Sequence, residues 1–190
     1  MSRIDKYIQP DWQNPEHEDK AAQILRAAIV AKCTWLQYAI MITHRMQDKN
    51  GKEYPAYFID NTKDYAFIMP DTELQSISFF ELNGDIEFNT DTFQPTKYPM
   101  SFVCWYDKRK VLNNITEDPT NLMINQVIKI LNYSGCENIS KTTDFNRIFN
   151  YSGIDNKALN LIGGNLKAFK INFNYYMSEC YLDLDHAHFI

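Results

Sequence analysis

The sequence predicts an α+β fold, a mostly antiparallel sheet packed by an N-terminal helix and by a second helix that precedes the last strand, and three observations carry it. Phe169, Lys170, Ile171, Asn172, Phe173, Asn174 and Tyr175 alternate apolar and polar residues without a slip, the period of a strand with one buried and one wet face. Met100 to Tyr106 is almost continuously apolar, as expected of a central strand covered on both faces. Asn14-Pro15-Glu16 and Asp118-Pro119 each combine a capping side chain with a proline suited to the first helical turn.

In chain order, the first dozen residues place Tyr7, Ile8 and Trp12 among polar neighbours without periodicity, and they read as an arm. Such bulky apolar groups need a surface to cover them, either this chain's own body or a neighbour's. Removing residues 1–12 is therefore expected to weaken assembly more than it lowers the melting temperature of a subunit. The first helix follows to about Lys32, with Ala21, Ile24, Leu25, Ala28 and Ile29 as its apolar stripe and Glu16 and Glu18 at its positive end.

From Trp35 the period becomes two, with Leu36, Tyr38, Ile40 and Ile42 on one side and Gln37, Ala39, Met41 and Thr43 on the other. Asn50-Gly51 signals a hairpin, within a polar run from Gln47 to Glu53 that allows a longer loop, and Tyr54 to Asp60 is the return strand. Segments Tyr65 to Met69 and Gln75 to Leu82, joined at Pro70-Asp71, continue a meander that Asn83-Gly84 turns back into Ile86 to Phe88. Asn89 to Pro99 has no period and reads as a long loop. After the central strand, Lys108, Arg109 and Lys110 read as a solvated strand end.

The second helix carries Met123, Ile124, Val127, Ile128, Ile130 and Leu131 on a broad apolar face. Asn132 to Asn165 reads as surface decoration, with short helices around Thr143 to Phe149 and near Ala158. Gly163-Gly164 leads into the closing strand. The organisation is thus an arm over 1–14, one α+β domain over 15–181 and a tail over 182–190.

Composition narrows function. The chain has 190 residues, 45% hydrophobic and 14% aromatic, with a net charge of -5 and scattered basic residues. A phosphate-neutralising stripe is missing, so neither DNA nor RNA is a specific partner. Cys33, Cys104, Cys136 and Cys180 lie too far apart for a zinc spacing and read as reduced core thiols. With no apolar leader after Met-Ser-Arg and no run of about 18 apolar residues, neither secretion nor a membrane is expected, and folding in a cytoplasm is.

The enzyme reading rests on Asp183, Asp185, His186 and His188, dense enough in ligand atoms to hold a divalent ion, or on Cys33, Cys104 or Cys180 with His44 as a nucleophile and base. His17 reads as a surface residue. A binding-module reading would line a pocket with Tyr57, Phe67, Phe79 and Phe88. Neither reading has a motif with known spacing, and no cofactor is expected.

Over residues 15 to 178 the order of elements resembles the tail-terminator and neck (head-tail connector) proteins of tailed bacteriophages: an N-terminal helix entering a sheet, a strand like Pro99 to Tyr106 with its Trp, a helix like Pro119 to Leu131 and a late strand like Phe169 to Met177. The resemblance is one of architecture, and it carries no residue-level functional motif. It implies a non-enzymatic virion component in a ring, hexameric or dodecameric, that contacts portal, neck or tail proteins and is present in the host cytoplasm during assembly. Tyr7, Ile8, Trp12 and Phe93 are then the candidate interface. Asp48, Glu53, Asp85, Asp91 and Asp107 are the candidate channel-facing acids, where negative charge repels phosphate and lets DNA slide. Ordinary solubility accounts for those acids equally well.

Overall fold

Two long strands organise the molecule, and in the computed structural model they lie side by side as β7 (Thr96–Asp107) and β9 (Leu166–Met177), in register from Thr96↔Met177 to Asp107↔Leu166. The structure describes residues 7–13, 15–59, 62–70, 74–88, 95–111, 118–155 and 165–178. On one side of this pair stands β8 (Glu137–Thr142). On the other stand β6 (Ser76–Leu82), β2 (Tyr38–Ile42) and β1 (Tyr7–Ile8), giving the order β1-β2-β6-β7-β9-β8.

Side-chain alternation divides the core between the two faces of this sheet. Met100, Phe102, Cys104 and Tyr106 of β7 and Phe169, Ile171, Phe173 and Tyr175 of β9 share the first face with α1 (His17–Val30) and α3 (Thr120–Tyr133). Met123, Ile124, Val127 and Leu131 of α3 are buried there, at the spacing of one helix face. Val103 and Trp105 point the other way, into a second cluster with Phe79, Ile148 and Phe149.

A smaller antiparallel sheet, β3 (His44–Gln47), β4 (Glu53–Ile59) and β5 (Asp64–Phe67), contributes Tyr54 and Tyr57 to this second cluster. It is also the crossover between β2 and β6, which are parallel and therefore cannot be joined by a tight turn. In the same way α1 joins the parallel pair β1 and β2. A turn of helix, α2 (Lys108–Val111), ends β7, and a second, α4 (Phe145–Ile148), is capped by Asp144, which accepts from Asn146 N at 3.0 Å.

Several expectations change. The single meander from Trp35 onward is two sheets. The chain leaves the large sheet at Thr43, whose N and Oγ1 both donate to Phe80 O, at 2.8 and 3.1 Å. Alternation says which side chains share a face, but it does not choose the neighbouring strand. Ile86 to Phe88 forms a single bridge, Glu87↔Lys97, and the loop expected to reach Pro99 gives way to strand from Thr96.

Residues 132–165 are more than surface decoration. They supply β8 and put Ile148, Phe149, Tyr151 and Ile154 into the second cluster. The charged run after β7 is folded back: Asp107 is buried and accepts from Arg109 N, Nε and Nη2 at 2.9, 3.1 and 2.6 Å. On α1 the buried set is Ala21, Ala22, Leu25, Arg26 and Ile29, with Ile24 turned outward, so the packed face is rotated from the apolar stripe. Asn14, Asp60, Asp71, Ala158, Gly163-Gly164 and the 182–190 tail lie outside the described residues.

Candidate assembly interface

The two edges of the large sheet are finished differently. At β8 the edge is polar, with exposed Glu137 and Lys141, a register shift between Glu137 and Ser140 and a left-handed Asn138 at φ 52°. Charge and irregularity on an edge discourage a further strand. At β1 the two paired residues are Tyr7, 36% exposed, and Ile8, 42% exposed, and neither carries charge. Tyr7 N and Gln9 N donate inward to Gln37 O and Ala39 O, at 2.9 and 3.0 Å. In an extended segment the alternate backbone groups, those of Ile8, then face away from the sheet.

Beside this edge is a groove of about 640 Å³ lined by Tyr7, Gln9, Pro10, Asp11, Trp12, Gln13, Phe58 and Ile59. Aromatic rings carry the apolar surface onward. Tyr7 lies 5.6 Å from Tyr38, Trp12 6.4 Å from Phe58, Phe58 5.3 Å from Tyr65 and Tyr65 6.1 Å from His44, all between ring centroids. On β5, Phe67 pairs with Tyr54 at 5.2 Å and is 42% exposed. Burial, together with the Tyr7 and Tyr38 phenols, raises the Tyr57 phenol above its ordinary range.

Seating of the arm is polar. Gln9 is buried, its Oε1 accepts from Met41 N at 2.8 Å and its Nε2 donates to Phe58 O at 3.2 Å. Arg26, 4% exposed, donates from Nη1 to Gln9 O and from Nη2 to Asp11 Oδ1. Trp12 N donates to Gln23 Oε1 at 3.1 Å, and the Trp12 ring packs against the first cluster. The chain's own body therefore seats Gln9 and Trp12, while Tyr7 and Ile8 stay exposed. Truncating residues 1–12 would also strip a buried guanidinium of its partners, so loss of assembly and loss of stability would arrive together, and point substitutions on the outer face separate them.

Of the other candidate residues, Phe93 and Asp91 lie outside the described residues. Asp48 orders the β3–β4 turn by accepting from Asn50 N and Lys52 N at 2.8 and 2.9 Å, and these bonds, that from Lys52 first, hold its carboxyl below the usual range. Glu53 pairs with Arg45 at 2.7 Å, and Asp85 is exposed after β6. Asp107 is buried under Arg109, which removes it from any exposed acidic surface.

The four aromatics of the pocket reading do not converge. Phe79 is core and Tyr57 packs on it, while Phe67 and Phe88 are exposed, the latter against the His17 ring at 5.2 Å. Cys33, Cys104 and Cys136 are buried thiols, and desolvation pushes Cys33 and Cys136 up to about 12. Buried and protonated at neutral pH, they are not nucleophiles. His44 is exposed on the small sheet, away from the cluster that holds Cys33 and Cys104. Cys180 and the Asp183, Asp185, His186, His188 group lie outside the described residues. Among the described residues no three or more His, Cys, Asp or Glu side chains are grouped to hold a metal, and no helix is long and apolar enough to cross a membrane.

Two features carry no signal in the sequence pattern. One is the burial of Arg26 and Gln9. The other is a buried ionic group on the second face, where Glu81 accepts from Tyr151 Oη and from Lys170 Nζ, the latter at 2.7 Å, and Arg45 stands 4.5 Å over the Tyr151 ring. Register hints at one part only, since Glu81 on β6 and Lys170 on β9 flank β7 opposite Ser101 and Val103, and Lys170 lies on the polar side of its pattern whereas Glu81 follows Ile77 and Phe79 on an apolar one.

On the first turn of α1, Asp19 has a buried Oδ1 without a hydrogen-bond partner among the described residues, and desolvation, then Glu18, raises its carboxyl to about 6. A folded-state value above 3.8 contributes stability that is present below about pH 4 and lost as pH rises through 6. Asp19→Asn is therefore expected to stabilise the subunit above pH 6 by about 1 kcal/mol, discounted for solvent screening at a partly exposed group. Urea denaturation at pH 4.5 and pH 7.5 checks this, and a gain that does not grow with pH would contradict it.

These features define the class, a mixed α+β protein in which sheets dominate, with a sheet edge that is apolar and exposed among the described residues. No family model matches the sequence, and no curated protein matches it. Among solved structures, the sheath/tube terminator of an extracellular contractile injection system (PVC) in its extended state is weakly similar, at a TM-score of 0.29 and 9% identity over 87% of this chain. The match spans 58% of that terminator's length. A TM-score this low does not establish a common fold.

Proposed function

We propose that this chain is a non-enzymatic structural subunit of a tail-terminator-like or head-tail connector-like ring in a phage neck or tail, joining neighbouring ring proteins around the DNA channel. The observation that carries this reading is the β1 edge, where exposed Tyr7 and Ile8 continue into the Trp12–Phe58 groove while the opposite edge is polar and irregular. Monomeric proteins rarely leave a contiguous apolar surface beside an open strand. The net charge of -5 suits a subunit that meets DNA without gripping it. In this reading the subunit is part of the virion and is present in the host cytoplasm during assembly, with neck, portal and tail proteins as its neighbours.

Solution mass tests it. Light scattering of the full chain is expected to give a closed oligomer, of six or twelve copies. The double variant Tyr7→Ser/Ile8→Ser is expected to shift it to monomer with a subunit stability change within about 0.5 kcal/mol, as for other exposed positions. A full chain that stays monomeric as its concentration rises, alone and with candidate neighbours, would sink the proposal. A monomer that takes a small ligand into the groove would favour the binding-module reading.

A further inference from the structure

The outer edge of β2 is completed almost wholly by residues 7–9. Gln37 O accepts from Tyr7 N, Ala39 O accepts from Gln9 N, and Met41 N, one step beyond the paired residues, donates to the Gln9 side chain. A glutamine amide thus does what a third backbone pair would do. Residues 7–11, which supply these bonds, have little apolar anchorage of their own, because Tyr7, Ile8, Pro10 and Asp11 are exposed, and the apolar anchor of the segment is the Trp12 ring that follows, packed against the first cluster. Two paired residues do not hold a strand in water.

Beneath the segment is Arg26, a guanidinium 4% exposed on the packed side of α1. Desolvation lowers its affinity for a proton, and the opposing influence comes first from Asp11. Its Nε has no partner among the described residues, so the two bonds from Nη1 and Nη2 to Gln9 O and Asp11 are what compensates the buried charge. Leaving such a charge without a partner is far costlier than losing an exposed ion pair. Asp11, by contrast, is 61% exposed, so one half of the pair is open to solvent ions and to competing carboxylates while the other half is fixed in the body.

We propose that residues 7–13 form a strap latched by Arg26 through Gln9 and Asp11, and that this latch, rather than the two-residue strand pairing, decides whether the outer edge of β2 is covered. Closed, the strap presents Tyr7 and Ile8 as the edge of the sheet. Open, it uncovers Tyr38–Ile42, a strand buried along nearly its whole length. The consequence for assembly rests on the ring reading; the latch itself does not.

Hydrogen exchange read by mass spectrometry on the full chain tests it, with Asp11→Asn as the unlatched variant and Asp11→Glu as the rescue. Asp11→Asn is expected to speed exchange in peptides covering 7–13 and 38–42 by about tenfold, which is about 1.4 kcal/mol of local opening. Peptides covering 100–105 and 169–173 are expected to exchange as before, and Asp11→Glu to restore protection. Unchanged exchange at 7–13, or an equal rise over the whole chain, overturns the latch. Faster exchange at the strap in a variant that still forms the ring keeps the latch and removes the strap from the assembly reading, so the two failures are told apart.

Discussion

Replacing Phe149 with alanine is expected to destabilise the subunit by about 3–5 kcal/mol, the range for deleting a buried aromatic side chain. Phe149 is 1% exposed and lies 5.5 Å from both Trp105 and Phe145, in the cluster that fills the second face of the large sheet. At about 2–4 °C per kcal/mol for a chain of this size, the melting temperature should fall by roughly 10 °C. Urea denaturation gives the free energy directly. A loss below about 1 kcal/mol would mean that residues 145–154 do not seal this face. Phe145→Ala, at a half-buried neighbouring position, should cost less than half as much, which separates sealing from simple loss of ring area.

The second large effect concerns Glu81. Glu81→Leu leaves the Lys170 ammonium and the Tyr151 hydroxyl without their shared acceptor, in a site where the Lys170 and Glu81 side chains are 17% and 11% exposed. Breaking a buried pair from one side is expected to cost about 3 kcal/mol. Removing both charges, Glu81→Leu/Lys170→Met, should recover about 2 kcal/mol of that loss, because no uncompensated charge remains. A double-mutant cycle by chemical denaturation reads the coupling. Additive single losses would show that the two side chains are not coupled. The coupling matters for the shape of the molecule because Tyr151 also sits under Arg45, and Glu53 N donates to Ser152 Oγ at 2.8 Å, so one loop ties the small sheet to the large one.

How far these elements were legible follows from what each kind of pattern encodes. The α3 stripe and the alternation of β9 are statements about faces, and both buried faces are where the residues put them, whereas the β9 face expected to be wet is half-buried, with Lys170 17% exposed. The Asn50-Gly51 turn appeared with Gly51 at φ 75°, the conformation that glycine allows. Pairing partners were not legible, because Tyr38 to Ile42 would suit a parallel or an antiparallel neighbour equally. Strand β8, Glu-Asn-Ile-Ser-Lys-Thr, is polar because an edge strand need bury little, so its sequence does not distinguish it from surface decoration. Arg26 was unreadable for a different reason: a charged residue on a helix is ordinarily solvated, and its burial depends on a segment fifteen to seventeen residues upstream. In the candidate site, Tyr7, Ile8 and Trp12 stood out as oily residues in a polar context, whereas the contribution of Phe58 and Tyr65 needed the second sheet to exist.

That second sheet has a kinetic consequence. Ile42 and Ser76, which bound the parallel neighbours β2 and β6, are separated by the whole of the small sheet, and closing so long a span costs loop entropy before any contact across it repays the cost. A hairpin needs no such closure, since Gln47 meets Glu53 across one turn. Zipping of 44–59 shortens the effective span between Thr43 and its partner Phe80, so the outlying hairpin is expected to form before the parallel seam, and φ-values higher at 44–59 than at 38–42 are the measurement that checks it.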